Sequence, residues 1–192
     1  LVPILTLIWL YVENQPTYLE DLENFILDRL KVYWKDQGFA FDHIQAVLSK
    51  GLSAPLWHLK QRLSALSEFL KDTKGHGTHL LGAYKRANNI LTQSAGDKAL
   101  PALQDKLLEA SVELDLVKHL NATRAEVPNL LNTHAYGDVM HQLAKLRPLI
   151  DAYFEGVMIN VDNPQLRDNR LATLDLFRTL LEEVADFSKL EG

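Results

Sequence analysis

Within the stretch AYKRANNIL, residues 83–91, two cations and two amides fall in five consecutive positions: Lys85, Arg86, Asn88 and Asn89. Lysine attracts a phosphate as a point charge and arginine does so with a planar fork. An asparagine amide offers a donor and an acceptor to a base edge. Such a set suits contact with a polyanion whose bases are unstacked. On a helical wheel at about 100° per residue, Leu80, Ala83, Tyr84, Ala87, Ile90 and Leu91 share one broad apolar arc. Asn88 falls at the rim of that arc, between Tyr84 and Leu81. Lys85 lies just outside one edge, and Arg86 and Asn89 lie toward the opposite face. The simpler alternative for Asn88 is a bond to a neighbouring backbone carbonyl, because an unsatisfied buried amide costs about 1–3 kcal/mol.

Polar residues recur on apolar stripes near the end of the chain. In LRPLIDAYFEGVM, Arg147 and Asp151 are four apart, near the stripe of Leu143, Ile150, Phe154 and Met158. In LRDNRLATLDLF, Asn169 and Arg170 lie on or near the stripe of Leu166, Leu174, Phe177 and Leu181. Arg147, Asp151 and Arg170 are expected to form one buried polar network that fixes the register of the last two helices. Other chemistry finds little support. His76 and His79 in HGTH have no evident third metal ligand. GHG lacks the spacing of a phosphate loop, and neither a Gly-x-Ser-x-Gly elbow nor a cysteine nucleophile occurs.

The elements that must position these groups are helices. Apolar residues recur at three and four, and helices are expected near 4–13, 17–37, 41–49, 55–72, 77–93, 98–120, 124–132, 136–157 and 164–186. Gly38 and Gly51 suit helix ends, Asp42 and Asp97 suit N-caps, and Asn163 followed by Pro164 is a strong helix start. Pro148 removes a helix hydrogen bond and should bend the 136–157 helix. The expected fold is an all-α bundle of about eight or nine helices.

The 192 residues, 47% of them hydrophobic, suffice for one sizeable core, so residues 1–192 are read as a single domain. The chain opens without Met and is expected to be a piece of a longer protein, with residues 1–16 a leading helix that meets upstream domains. Its apolar run LVPILTLIWLYV is about 12 residues, short of the roughly 20 that span a bilayer. No membrane association is expected. The absence of cysteine is compatible with a reducing cytoplasm. Net charge is −5, yet His43 to Ala95 holds seven Lys/Arg against two acids, and the rest holds thirteen bases against twenty-three acids. A basic third inside an acidic body hints at a polyanion partner. Trp57 and Tyr84 are the candidate stacking aromatics of that third. Both are expected to pack instead, Tyr84 on the apolar arc and Trp57 near a helix start after Pro55.

YKRANNIL, LRPLIDAYFEGVMINVDNPQLRDNRLATLDLFRTLLEEVADFSKL and, upstream, LDRLKVYWKDQGFAFDHIQAVLS resemble the C-terminal end of the beta subunits of bacterial glycyl-tRNA synthetases. The resemblance covers, with gaps, nearly the whole chain. It implies a helical anticodon-binding domain of the type shared with arginyl-tRNA synthetases, although the Asp-Ala-Leu-Arg tetrapeptide that names this type is absent. In that family the alpha subunit activates glycine with ATP and Mg²⁺, the beta subunit recognises glycine tRNA, and the assembly is an alpha-two beta-two tetramer. The resemblance implies a non-catalytic tRNA-binding module without a cofactor of its own. It points to Lys85, Arg86, Asn88 and Asn89 near the tRNA, and more weakly to Arg167 and Asn169. The competing reading is a helical protein–protein module whose Leu1 to Val12 face docks a partner subunit.

Overall fold

A computed structural model describes residues 16–95 and 99–191. The expected leading helix over 4–13 and the cap at Asp97 lie outside the described residues. Within them are eight α-helices and two single 3₁₀ turns, and no strand. The helices are α1 (Pro16–Asp36), α2 (Phe41–Leu48), α3 (Leu56–Leu70), α4 (His76–Ser94), α5 (Ser111–Asn132), α6 (Tyr136–Ala144), α7 (Arg147–Gly156) and α8 (Pro164–Glu182).

Several ends follow from single residues. After α1, Gly38 adopts φ +88°, its N–H donates to the Lys35 carbonyl and the Phe39 N–H donates to Trp34. That is a Schellman cap, which requires a left-handed residue. Asn163 caps α8, its side-chain oxygen accepting from the N–H groups of Gln165 and Leu166. Asp42 does not cap α2. It lies in the first turn, after Ala40, and its carboxylate accepts from the N–H of Glu191 instead.

Three expected helices have different bounds. Residues 99–110 are not helical apart from one turn at Asp105–Leu107. Pro101 interrupts this segment, and Glu113 holds its end open by accepting from the N–H groups of Glu109 and Ala110, both at 2.8 Å. Helix α5 then runs without the expected break near 120–124, because Glu113, Leu116, Leu120, Thr123 and Val127 continue one buried stripe past Asn121. Helix 136–157 is broken rather than bent. Pro148 cannot donate a helix hydrogen bond, and α6 stops before Lys145 while α7 begins at Arg147.

The core is one cluster that runs from Trp34 to Leu190. Helix α4 packs most extensively on α8. The two run antiparallel: Tyr84 donates its hydroxyl to Glu182 at 2.8 Å, and Ser94 meets Asn160 just before α8. Gly77 lets the start of α4 close on α3, since a Cβ there would collide with the carbonyl of Phe69. The C-terminus returns to α2, with the Asp186 N–H donating to Ala46 O and Lys50 Nζ donating to Glu182 O.

Candidate nucleic-acid interface

Helix α4 buries Leu80, Leu81, Ala83, Tyr84, Ala87 and Leu91 and exposes Gly82, Arg86, Asn89 and Gln93. Lys85 and Asn88 are half-buried. At about 100° per residue the four polar residues do not form one spot. Lys85 and Asn88 lie at one flank of the exposed face and Arg86 at the other, with Asn89 between them. The Arg86 guanidinium sits 4.2 Å from the ring centroid of Phe154 on α7. Phe154 covers one side of the guanidinium while the residue stays exposed, an arrangement that leaves a flat cationic surface toward solvent. Among the described residues, no carboxylate pairs with Lys85 or Arg86. Tyr84 is buried, and burial with the Glu182 carboxylate beside it raises its hydroxyl well above the ordinary tyrosine range. It is a core residue, as expected.

Two other cations of the basic third are engaged by the fold, while Lys60, Lys71 and Lys74 are exposed. Lys50 holds the C-terminal carbonyl of α8. Arg62 lies over the ring of Tyr136. A groove of about 960 Å³ between α3, α6 and α7 collects Lys74, Lys145 and Arg147, but Glu68, Asp72 and Asp151 line it too. Its charges offset one another, so it lacks the single sign of a phosphate track. His76 is 3.9 Å from Asp72 there, and no group of three metal-ligating side chains occurs among the described residues.

The C-terminal residues divide. Arg167 is half-buried in the first turn of α8, at the end where α4 finishes. Asn169 does not face solvent. It is 2% exposed, and its amide accepts from the Gln104 N–H at 2.7 Å and donates to the Gln104 carbonyl at 3.2 Å. Those bonds hold the extended segment before α5, which corrects its reading as an RNA contact. The expected network of Arg147, Asp151 and Arg170 is also corrected. Arg147 and Asp151 form a 3.6 Å pair on the surface of α7, away from Arg170. Arg170 is buried and donates to Glu113 at 2.8 Å, to Glu109 at 3.3 Å and to the Met158 carbonyl at 2.9 Å. Burial opposes ionisation of Glu113, but the N–H groups of Ala110 and Glu109 and the Arg170 guanidinium outweigh it and hold the carboxyl below its usual range. The placement of Glu113 three residues after the Ala110 cap position is a sequence signal for its capping bonds, but not for Arg170, 57 residues away.

The sequence model of the DALR anticodon binding domain matches residues 80–187, from the first turns of α4 to the 3₁₀ turn after α8. The chain belongs to that family. Over 90% of its length it is 37% identical to the glycine–tRNA ligase beta subunit of Ruegeria sp. (strain TM1040). Over 91% it is 39% identical to that of Cereibacter sphaeroides, and over 90% it is 38% identical to that of Pasteurella multocida. The chain spans about a quarter of the length of these relatives. Within this DALR domain, α4 and α8 form the antiparallel pair that carries Lys85, Arg86, Asn88, Asn89 and Arg167, while α1 to α3 precede the matched region.

Proposed function

We propose that this chain is the tRNA-binding, anticodon-recognising domain of a glycine–tRNA ligase beta subunit. The observation that carries the proposal is the solvent face of α4, inside the matched region, where Arg86 lies over Phe154 and neither cation has a carboxylate partner among the described residues. Lysine and arginine there attract the phosphate backbone, and Asn88 and Asn89 offer amides to the edges of unpaired bases. The domain positions glycine tRNA in the cytoplasm and holds no cofactor. ATP, Mg²⁺ and glycine activation belong to an alpha subunit, in an alpha-two beta-two assembly. Consistent with this, no helix among the described residues is long and apolar enough to cross a membrane.

The test is a titration of the chain with glycine tRNA and with the same tRNA carrying a swapped anticodon, at two salt concentrations. Binding that falls with salt and with the swap supports anticodon reading. Equal affinity for both tRNAs leaves only a nonspecific cationic surface.

A second reading has its own observation. Tyr18, Leu22, Phe25 and Val32 are exposed on α1 at heptad spacing, a face suited to another helix. The face at Leu1 to Val12 lies outside the described residues. A protein-docking module would show no steep salt dependence and no response to the anticodon.

A further inference from the structure

Away from α4, three rings pack against one another at a tilt where α3 begins and α5 ends, interplanar 31° for Trp57–His58 and 37° for His58–His134. The Trp57 and His58 centroids are 3.5 Å apart, and those of His58 and His134 are 3.2 Å apart. His58 is buried in the middle, whereas Trp57 is 57% exposed and His134 is exposed at the other end. Tyr136 extends the group beyond His134 and carries the Arg62 guanidinium over its ring. Among the described residues, two buried polar atoms of this cluster, His58 Nδ1 and Arg62 Nε, find no hydrogen-bond partner. Unpartnered buried groups are uncommon and mark places where a ligand or water completes the site.

His134 carries a second anomaly. It occupies the left-handed position of the Schellman cap that ends α5, at φ 59°. Its N–H donates to Leu131 and the following N–H donates to Leu130. Glycine is the residue that this position favours. A β-carbon is tolerated there in exchange for an imidazole in the cluster. Beneath Trp57, Pro55 occupies the N-cap of α3 and supplies no side-chain acceptor for the first-turn N–H groups.

The geometry points to a nucleotide-binding platform: an unpaired RNA base stacks on the exposed Trp57 ring of the Trp57–His58–His134 cluster, with its phosphate toward the uncapped start of α3. Exposed aromatic side chains are a means by which proteins hold single-stranded bases. Trp57 precedes the matched DALR region and His134 lies within it, so the platform joins the two parts of the chain. That the RNA is glycine tRNA rests on the proposed function; the stacking chemistry does not.

The test is tryptophan fluorescence and affinity, measured for the 192-residue chain with glycine tRNA and with a short single-stranded oligoribonucleotide. Wild type should show saturable quenching that W57F lacks. W57A should weaken binding about tenfold, with W57F recovering most of it. H134G keeps the cap, so it should raise the melting temperature while weakening binding. Undiminished affinity in W57A and H134G, alongside a loss in the Lys85→Ala, Arg86→Ala double variant, would overturn the platform and leave the α4 reading standing. If wild type fails to bind tRNA, the proposed function falls. The oligoribonucleotide then decides the platform alone: Trp57-dependent quenching supports it and its absence rejects it.

Discussion

Arg170 Nε donates to Glu113 Oε1 across 2.8 Å, between side chains 57 residues apart in sequence. The same guanidinium reaches the carbonyl of Met158, and the same carboxylate accepts two N–H groups before α5. The pair therefore fixes α8, the turn after α7 and the start of α5 to one another. Arg170→Ala leaves a buried carboxylate without its cation and should cost about 3–5 kcal/mol. A urea midpoint equal to that of the parent would reject the pair as a stabilising element. A Glu113→Leu, Arg170→Met double variant should not recover full stability, because the N–H groups of Glu109 and Ala110 would lose their acceptor.

Acid should expose the same pair. The Glu113 carboxyl is held below its usual value of 4.5, so the native state binds fewer protons than the unfolded state in the window just beneath that pH. Its contribution is complete above pH 4.5 and is lost as pH falls through the lower, folded value. His43 acts earlier. Burial lowers its pKa from 6.5, and its Nδ1 is 2.9 Å from Ser67 Oγ, so the neutral ring is favoured in the fold. Stability should therefore decline below pH 6.5 and again below 4.5. Unfolding curves across this range should lose the lower step in Glu113→Gln.

Lys85→Ala combined with Arg86→Ala should weaken tRNA binding and lower the slope of log affinity against log salt by about two, roughly one per phosphate contact. Stability should fall by less than about 1 kcal/mol, the value of an exposed cation–π contact between Arg86 and Phe154. An unchanged salt slope removes both residues from the interface.

Asn89 and Asn169 should separate function from fold. Asn89→Ala, on an exposed position, should leave melting within about 0.5 kcal/mol of the parent while weakening the discrimination between anticodons. Asn169→Leu strips both main-chain partners from Gln104 and should cost about 2 kcal/mol. Calorimetry together with the swapped-anticodon titration distinguishes them. Reversed behaviour would restore Asn169 to the interface.

The helical class was legible because periodicity is a local property: α2, α3 and α4 begin and end within a few residues of where their apolar spacing and glycines place them. The breaks at Pro148 and Pro101 were harder. A proline announces a lost hydrogen bond, but whether a helix bends, stops or never starts depends on what the neighbouring groups bond to. Before α5 that partner was Glu113, whose two acceptor bonds favour an extended segment over a helical turn. The α4 cations were legible by type, and their separation across two flanks follows from the same wheel. The bonds of Asn169 and the edge-to-face contact of Trp57 with His134 were not legible, since each depends on a residue more than sixty positions away.

The return of the C-terminus to α2 sets the order of assembly. Ala46, Lys50 and Asp42 take their distant partners from residues 182 to 191, up to 149 positions later. A chain emerging from the ribosome exposes the apolar face of α2 long before the turn at Phe187 that covers it has been made. The early helices must wait for the last ones, so contacts of high sequence separation gate the final folding step. Release of a chain truncated after Glu182 would leave uncovered the part of α2 that meets the turn at Phe187, a substrate for chaperones rather than a shorter domain.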